Sequence, residues 1–243
     1  MKIVKLDKTD STNTWIAQHE EELDKTSLVY CKEQTAGRGQ RGNSWESEPG
    51  KNITASIVFH PENFPAEKQF LISEAIALAI VEFLREKGVE AKVKWPNDIY
   101  VGDKKICGIL VEHVVVGRNI TRTIAGFGIN INQKLFKSNA PNPISLIMIT
   151  GEQYDIDKEI KALASLLESK ITQIEDSEKI HDEFLNLLWR NDSRFYRFFD
   201  RKNNENILAY IHSVGTDGVL TLKTNEGEKR EYAFKEVEFT LDA

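Results

Sequence analysis

Polar and apolar positions fall into short blocks from the first residues onward. "KIVKL" at 2–6 reads as a strand, and "DSTNTWIAQHEEEL" at 10–23 as a helix whose orphan amides Asp10 or Ser11 can cap. "SLVYCKE" at 27–33 is a second strand, and "NITASIVFHP" at 52–61, with its β-branched alternation, a third. A long helix follows over "AEKQFLISEAIALAIVEFLREKG", 66–88, apolar around so much of its circumference that it belongs in the core; Gly88 ends it. "AKVKWPNDIYV", "KKICGILVEHVVV" and "ITRTIAGFGININ" then read as three strands joined by turns at "GDK" and "GRN", a meander beside the buried helix. The polar connection "SNAPNPISL" leads to two amphipathic helices at 157–175 and 178–190. From Ser193 onward, short strands with turn signals at "GTDG" and "NEGE" predict a small barrel of roughly 50 residues. The pattern predicts an α+β fold with a mixed or antiparallel sheet and packed helices. It divides into a domain over 1–190 and a small all-β domain over 191–243.

Composition changes this picture only by exclusion. With 243 residues and 40% hydrophobic content the chain can bury a full core. Its apolar run "AIALAIV" at 75–81 is far too short to cross a bilayer, and the charged N-terminus has no signal-peptide core, so a cytoplasmic, membrane-free protein is expected. Cys31 and Cys107 sit in strand-like segments and read as reduced core residues. A net charge of −6 and a pI near 5.5 argue against a chain that lives on nucleic acid. The five histidines show no ligand spacing, so no protein-bound zinc is expected.

The chemistry concentrates in the loop "GRGQRGNSWESEPGKN" at 37–52. Glycines 37, 39 and 42 spell G-x-G-x-x-G, but a dinucleotide fingerprint requires a helix next, and here another strand follows. The H-R-D, D-F-G and G-K-[ST] signatures of kinases and P-loop proteins are missing as well. What remains is a flexible loop whose backbone amides and whose Arg38 and Arg41 can surround phosphate oxygens.

Four motifs in order then identify a family. "STN" at 11–13, "EQTAGRGQRGNSW" at 33–45, "KWPNDIYVGDKKICGILVE" at 94–112 and "GFGININ" at 126–132 resemble the biotin protein ligases in sequence and spacing. The resemblance spans residues 1 to about 190, and the small terminal barrel is similar to that family's C-terminal domain. It implies an enzyme that makes biotinyl-adenylate from biotin and ATP, with Mg²⁺, and transfers biotin to one lysine of a biotin carboxyl carrier protein. Such a reaction brings a carboxylate to a phosphate, and two anions about 4 Å apart repel by roughly 4 kcal/mol at an effective dielectric near 20, so a cation must sit between them.

By resemblance that cation is Lys105, with Arg38 and Arg41 assisting. Ser11, Thr12, Asn13 and Gln34 are similar to the polar set that reads biotin's ureido ring, and Gly37, Arg38, Gly39, Gln40, Lys105 and Gly108 complete the biotin site. Arg41, Trp45, Lys94, Asn97 and Asn130 match adenylate positions, with Trp45 packing near adenine and Gly108 bare because a side chain would crowd the nucleotide. Asp98 is either a Mg²⁺ ligand or a buried structural carboxylate. The loop is expected to order over the ligand, which costs about 1–2 kcal/mol per residue.

Two departures matter. Gln40 and Asn43 stand where well-known members carry arginine, so Arg38 and Arg41 are left with more of the phosphate contact. The chain also begins almost at the catalytic motifs, so no winged-helix module and no specific DNA binding are expected; the residues leave room for a homodimer. The rival readings are a lipoate or octanoate ligase or transferase of the same superfold, and a non-catalytic ligand-binding module.

Overall fold

Helix α2 (Gln69–Arg85) lies at the centre of the molecule and explains most of the rest. Thirteen of its side chains are buried, among them Phe70, Leu71, Ile76, Phe83 and Leu84, so the helix needs apolar cover on nearly every side. In the computed structural model, which describes residues 1–138 and 140–241 and of Arg41 the backbone alone, that cover is a sheet on one side and two helices on the other.

The preceding elements are β1 (Lys2–Thr9), α1 (Thr12–Gln18), β2 (Thr26–Gln34), β3 (Ile53–Phe59) and the two-residue β4 (Phe64–Pro65). After α2 come β5 (Lys92–Lys94), β6 (Asp98–Val101), β7 (Lys104–Val116), β8 (Asn119–Ile129), α3 (Leu146–Thr150), α4 (Ile156–Thr172) and α5 (Ser177–Leu187). The strands form one sheet in the order β1-β2-β3-β8-β7-β6-β5, with β4 beside β8; only β1 and β2 run parallel. Helices α2, α4 and α5 pack on one face. The other face carries α1 over Val29, Val58 and Ile124.

The sheet agrees with the pattern read from the sequence, with three local differences. "AKVKWPNDIYV" is two strands rather than one, because Pro96 has no N–H to offer a ladder and the chain turns there, pairing Lys94 with Asp98. The first helix stops at Gln18, a turn earlier than expected, where His19 Nδ1 bonds to the Trp15 carbonyl and a short 3₁₀ turn follows. The polar connection ends in α3, too short to show a period, started at Ser145 and stopped by Gly151 at a φ of 76°.

The C-terminal strands β9 (Tyr196–Asp200), β10 (Glu205–Val214), β11 (Leu220–Thr224), β12 (Lys229–Tyr232) and β13 (Val237–Phe239) form an antiparallel sheet in the order β12-β11-β10-β9-β13. It is joined to the rest by apolar and aromatic contacts. Trp95 donates from Nε1 to the Gly218 carbonyl and meets Phe234 edge-on, Phe70 also packs on Phe234, and Trp189 faces Phe239. One continuous core cluster runs from Ile53 through α2 to Phe198 and Leu222, across the boundary expected near residue 190. Among the described residues no helix is long and apolar enough to cross a membrane.

Candidate active site

The cleft opens on the α1 face of the sheet, over three glycine positions of β7 and β8. Gly126 and Gly128 alternate on β8, and Gly108 on β7 pairs with Gly128 across the ladder. A cleft of about 560 Å³ lies above this bare patch. Its walls come from α1, the loop after β2, the β5–β6 turn, β7 and the segment before α3.

At one end stand Ser11, Thr12 and Asn13, all buried, at the start of α1. Thr12 donates its backbone N–H to Gln34 Oε1 at 3.0 Å, and its Oγ1 lies 2.6 Å from Ser56 Oγ. Ser56 in turn donates to Asn13 Oδ1 at 2.6 Å, and Asn13 Nδ2 donates to Glu112 Oε2 at 2.7 Å. The same oxygen accepts from Arg38 at 3.1 Å. Gly126 is required here: a Cβ on it would lie 3.0 Å from Asn13 Cγ and closer still to Oδ1. Neither Ser56 nor Glu112 was predicted as a site residue. Glu112 closes the motif "KKICGILVE", but nothing in the spacing says that its carboxylate meets Asn13 and Arg38 behind the cleft.

The glycine loop folds back on itself through an Arg38–Ser44 bridge, with Trp45 N–H donating to the Gly37 carbonyl. Gly42 has a φ of 86°, a backbone state that favours glycine, whereas Gly37 is bare for space, since a Cβ there would lie 2.6 Å from the Trp45 carbonyl. Gly37 does not itself line the cleft, whereas Arg38, Gly39, Gln40 and Asn43 do. The Arg41 side chain lies outside the described residues. The Gln40 carbonyl accepts from Lys235, so the C-terminal sheet contributes a cation to the rim. Glu46 accepts from the backbone amides of Lys137 and Ser138 and from the side chain of Gln133. Burial alone would raise its pKa, but these donors outweigh burial and hold the carboxyl below its ordinary range.

In the middle, Lys105 Nζ pairs with Asp98 Oδ1 at 2.6 Å and lies 5.5 Å from the centre of the Trp45 ring. Its backbone is pinned by the 142–144 segment, donating to the Asn142 carbonyl and accepting from Ile144 N–H. Gly108 makes room for this pair: a Cβ on it would meet Trp45 Cζ3 at 3.0 Å and Lys105 Nζ at 3.3 Å. What such a Cβ would crowd is therefore the protein's own indole and ammonium. Asn97 holds the β7 backbone, bonding to the Ile109 carbonyl through its side chain and accepting the Ile109 N–H at 2.9 Å. Asn130 donates to the Ile144 carbonyl, but its Oδ1 is buried without a partner, and so is Trp45 Nε1. An unpaired acceptor and an unpaired donor in one cleft are what a polar ligand would satisfy. Lys94 is not among the lining residues; its Nζ lies over the rings of Tyr100 (4.9 Å) and Phe239 (5.5 Å), and burial pulls its pKa down.

Residues 6–130 match the model of the "Biotin/lipoate A/B protein ligase family". The chain is 31% identical over 215 residues to "Bifunctional ligase/repressor BirA" of Bacillus subtilis, a match that covers 85% of this chain and 64% of the relative. It is 30% identical over 166 residues to "Biotin--[acetyl-CoA-carboxylase] ligase" of Paracoccus denitrificans, covering 65% of this chain and 68% of that one. Among solved structures, a biotin protein ligase from Aquifex aeolicus in complex with biotin and ATP superposes with a TM-score of 0.80 at 20% identity, over 98% of this chain and 99% of that one.

Proposed function

The chain belongs to the biotin/lipoate A/B protein ligase family, and from that premise we propose that it is an ATP-dependent biotin protein ligase. Of the relatives it matches, one bears the name biotin--[acetyl-CoA-carboxylase] ligase and another the name bifunctional ligase/repressor. The observation that carries the reading is the cleft itself. Neutral hydrogen-bonding groups (buried Thr12 and Asn13, half-buried Gln34, with Ser56 behind them) stand at one end, a cationic stretch (Arg38, Lys105) farther along, and bare glycine backbone underneath. A neutral ureido ring suits the first and a carboxylate approaching a phosphate the second.

In the proposed reaction a biotin carboxylate oxygen attacks the α-phosphorus of ATP, the bond to the bridging oxygen breaks, and pyrophosphate leaves with that electron pair. Lys105 lies where it can contact both anions, exchanging its bond to Asp98 for bonds to the developing charge. The mixed anhydride stays in the cleft until a lysine amine of the carrier attacks its carbonyl, expels AMP and gives up a proton. Magnesium enters with ATP. Asp98, which lines the cleft and pairs with Lys105, is the carboxylate that would help hold it beside the phosphates. The acceptor is a biotin carboxyl carrier domain, and the setting the cytoplasm, consistent with the two buried free thiols. Residues 191–243 read as a second domain by topology, packed firmly on the first.

The test is ATP–pyrophosphate exchange by the purified chain with biotin, lipoate or no acid. Exchange with biotin alone, followed by labelling of a carrier on a single lysine, is expected; exchange with lipoate and not biotin reassigns the substrate.

A further inference from the structure

The chain of polar contacts behind the cleft has a direction, set where Asn13 Nδ2 donates to Glu112 and, more weakly at 3.4 Å, to the Leu110 carbonyl. A carboxylate oxygen can only accept, so Glu112 Oε2 draws the amino end of Asn13 toward itself at 2.7 Å. That leaves Asn13 Oδ1 to accept from Ser56 at 2.6 Å. The Ser56 hydroxyl has one proton and has given it to Asn13, so at the 2.6 Å contact with Thr12 the threonine must be the donor. The Thr12 hydroxyl proton is then committed as well. The 3.3 Å approach of Thr12 Oγ1 to Gln34 Oε1 is not a second bond from that proton; Gln34 Oε1 is satisfied by the Thr12 N–H at 3.0 Å. At the ligand end Thr12 Oγ1 is left with lone pairs only.

We propose that Glu112 is a positioning residue that fixes the proton direction of the Asn13–Ser56–Thr12 relay and so makes Thr12 Oγ1 an obligatory acceptor, selecting a ligand that presents an N–H. Glu112 does not line the cleft, so it acts through the relay. Its second bond, to Arg38 at 3.1 Å, ties the same carboxylate to the glycine loop. Thr12, Asn13 and Ser56 are all buried, so no bulk water is available to re-solvate a relay running the wrong way. Two substitutions show what is at stake. In Glu112→Gln the amide oxygen stays with Arg38 and still accepts from Asn13, whereas in Glu112→Lys the ammonium can only donate: Asn13 turns over, Ser56 donates to Thr12, and the Thr12 hydroxyl is freed to donate outward. The same pocket would then favour an acceptor.

The inference rests on the biotin reading, and the experiment separates the two. Binding of biotin, and of an analogue with its ring N–H groups replaced by oxygen, is measured by calorimetry on the parent chain, Glu112→Lys, Glu112→Gln, Ser56→Ala and Arg38→Gln. The parent should prefer biotin. Glu112→Lys should weaken biotin about ten- to a hundredfold while the analogue changes little, so that the preference collapses. Ser56→Ala cuts the relay at a second point and should collapse the preference too, which keeps the test decisive if Glu112→Lys does not fold. Glu112→Gln keeps an acceptor for Asn13 and Arg38→Gln leaves the Asn13–Glu112 bond in place, so both should keep the preference. An unchanged preference in Glu112→Lys and Ser56→Ala, or equal weakening of both ligands, overturns the proposal. A parent that binds neither probe removes the biotin reading itself.

Discussion

Trp45 and Gly128 are built against each other: a Cβ on Gly128 would fall within the indole, 2.8 Å from Cζ2 and closer still to Nε1. Gly128 pairs with Gly108, so two facing glycines give the ring a flat bed, and Lys105 closes over it. The indole is thereby placed by backbone, and its position depends on two hydrogen atoms in place of side chains.

Gly128→Ala should therefore displace Trp45 while leaving the sheet intact, because Gly128 lies in a regular strand without a positive φ. We expect the KM for ATP to rise by about tenfold or more, with thermal stability little changed. Gly108→Ala should be milder, since its Cβ would meet only the ring edge and a flexible lysine tip. Steady-state kinetics on both variants checks the ranking; equal effects would mean that the indole does not occupy this bed during turnover.

Lys105→Ala should lose roughly 3–4 kcal/mol of transition-state stabilisation, or two to three powers of ten in adenylation rate, with the fold retained. Lys104 is exposed on the same hairpin and does not line the cleft, so Lys104→Ala serves as the control and should be nearly silent. Single-turnover adenylate formation distinguishes the two; similar mild losses would reduce Lys105 to a solvated surface lysine.

Glu46 couples the loop after Trp45 to the strap carrying Phe136 and Ser138. Glu46→Ala should release that strap, speeding tryptic cleavage after Lys134 or Lys137 and raising the KM for ATP severalfold, about what one lost charged hydrogen bond costs. Limited proteolysis with timed mass spectrometry reads the first effect directly. Unchanged cleavage would show the strap to be held by other contacts.

Glu74 is fully buried on α2 and, among the described residues, its carboxylate meets His181 Nδ1 on α5 at 2.8 Å. Burial pushes its pKa up from 4.5 to about 7, although the histidine pulls the other way. The native state then holds a proton that the unfolded chain has released between those values. The group's contribution is full below pH 4.5 and is lost as the pH rises toward 7, at up to about 1.4 kcal/mol per pH unit. Glu74→Gln keeps an acceptor for His181 and removes the titration. Its urea midpoint should match the parent's at low pH and exceed it at pH 8, by up to about 3 kcal/mol in stability. A parent and variant that differ equally at both pH values would place the titration elsewhere.

The shared core makes a further demand. Trp95, Phe70 and Trp189 are covered by Gly218, Phe234 and Phe239, so a chain cut near residue 192 would expose three large aromatic surfaces. Intact protein should melt in one calorimetric transition, and the truncated chain should aggregate. Two well-separated transitions would instead give the C-terminal sheet independent stability.

The elements with a strong period were legible in the sequence. α2 is apolar all round because it is covered on nearly every side, and β7 reads over its full length because its β-branched and aliphatic run continues into the exposed end of the strand. Positions named by motif, such as Thr12, Gln34 and Lys105, do converge on one cleft. What escaped were contacts made across long sequence separations by residues ordinary in their own segments. Ser56 looks like any polar position in a buried strand, Glu112 like any charge near a hairpin, and Lys235 comes from a different sheet. Lys94 sits in a strong motif, and its ammonium lies over Tyr100 and Phe239, outside the cleft lining.

A cleft floored by Gly108, Gly126 and Gly128 has consequences for anyone wishing to redesign the protein. Bare backbone offers no side chain to trim, and every addition intrudes on Asn13, Trp45 or Lys105, so the floor cannot be tuned in either direction. Altered ligand preference has to be sought in the walls. Libraries at Thr12, Gln34 and Ser56 would vary the acid accepted, and libraries at Gln40 and Asn43 how long it is kept. A screen that randomised the three glycines would spend its diversity on variants that close the cleft.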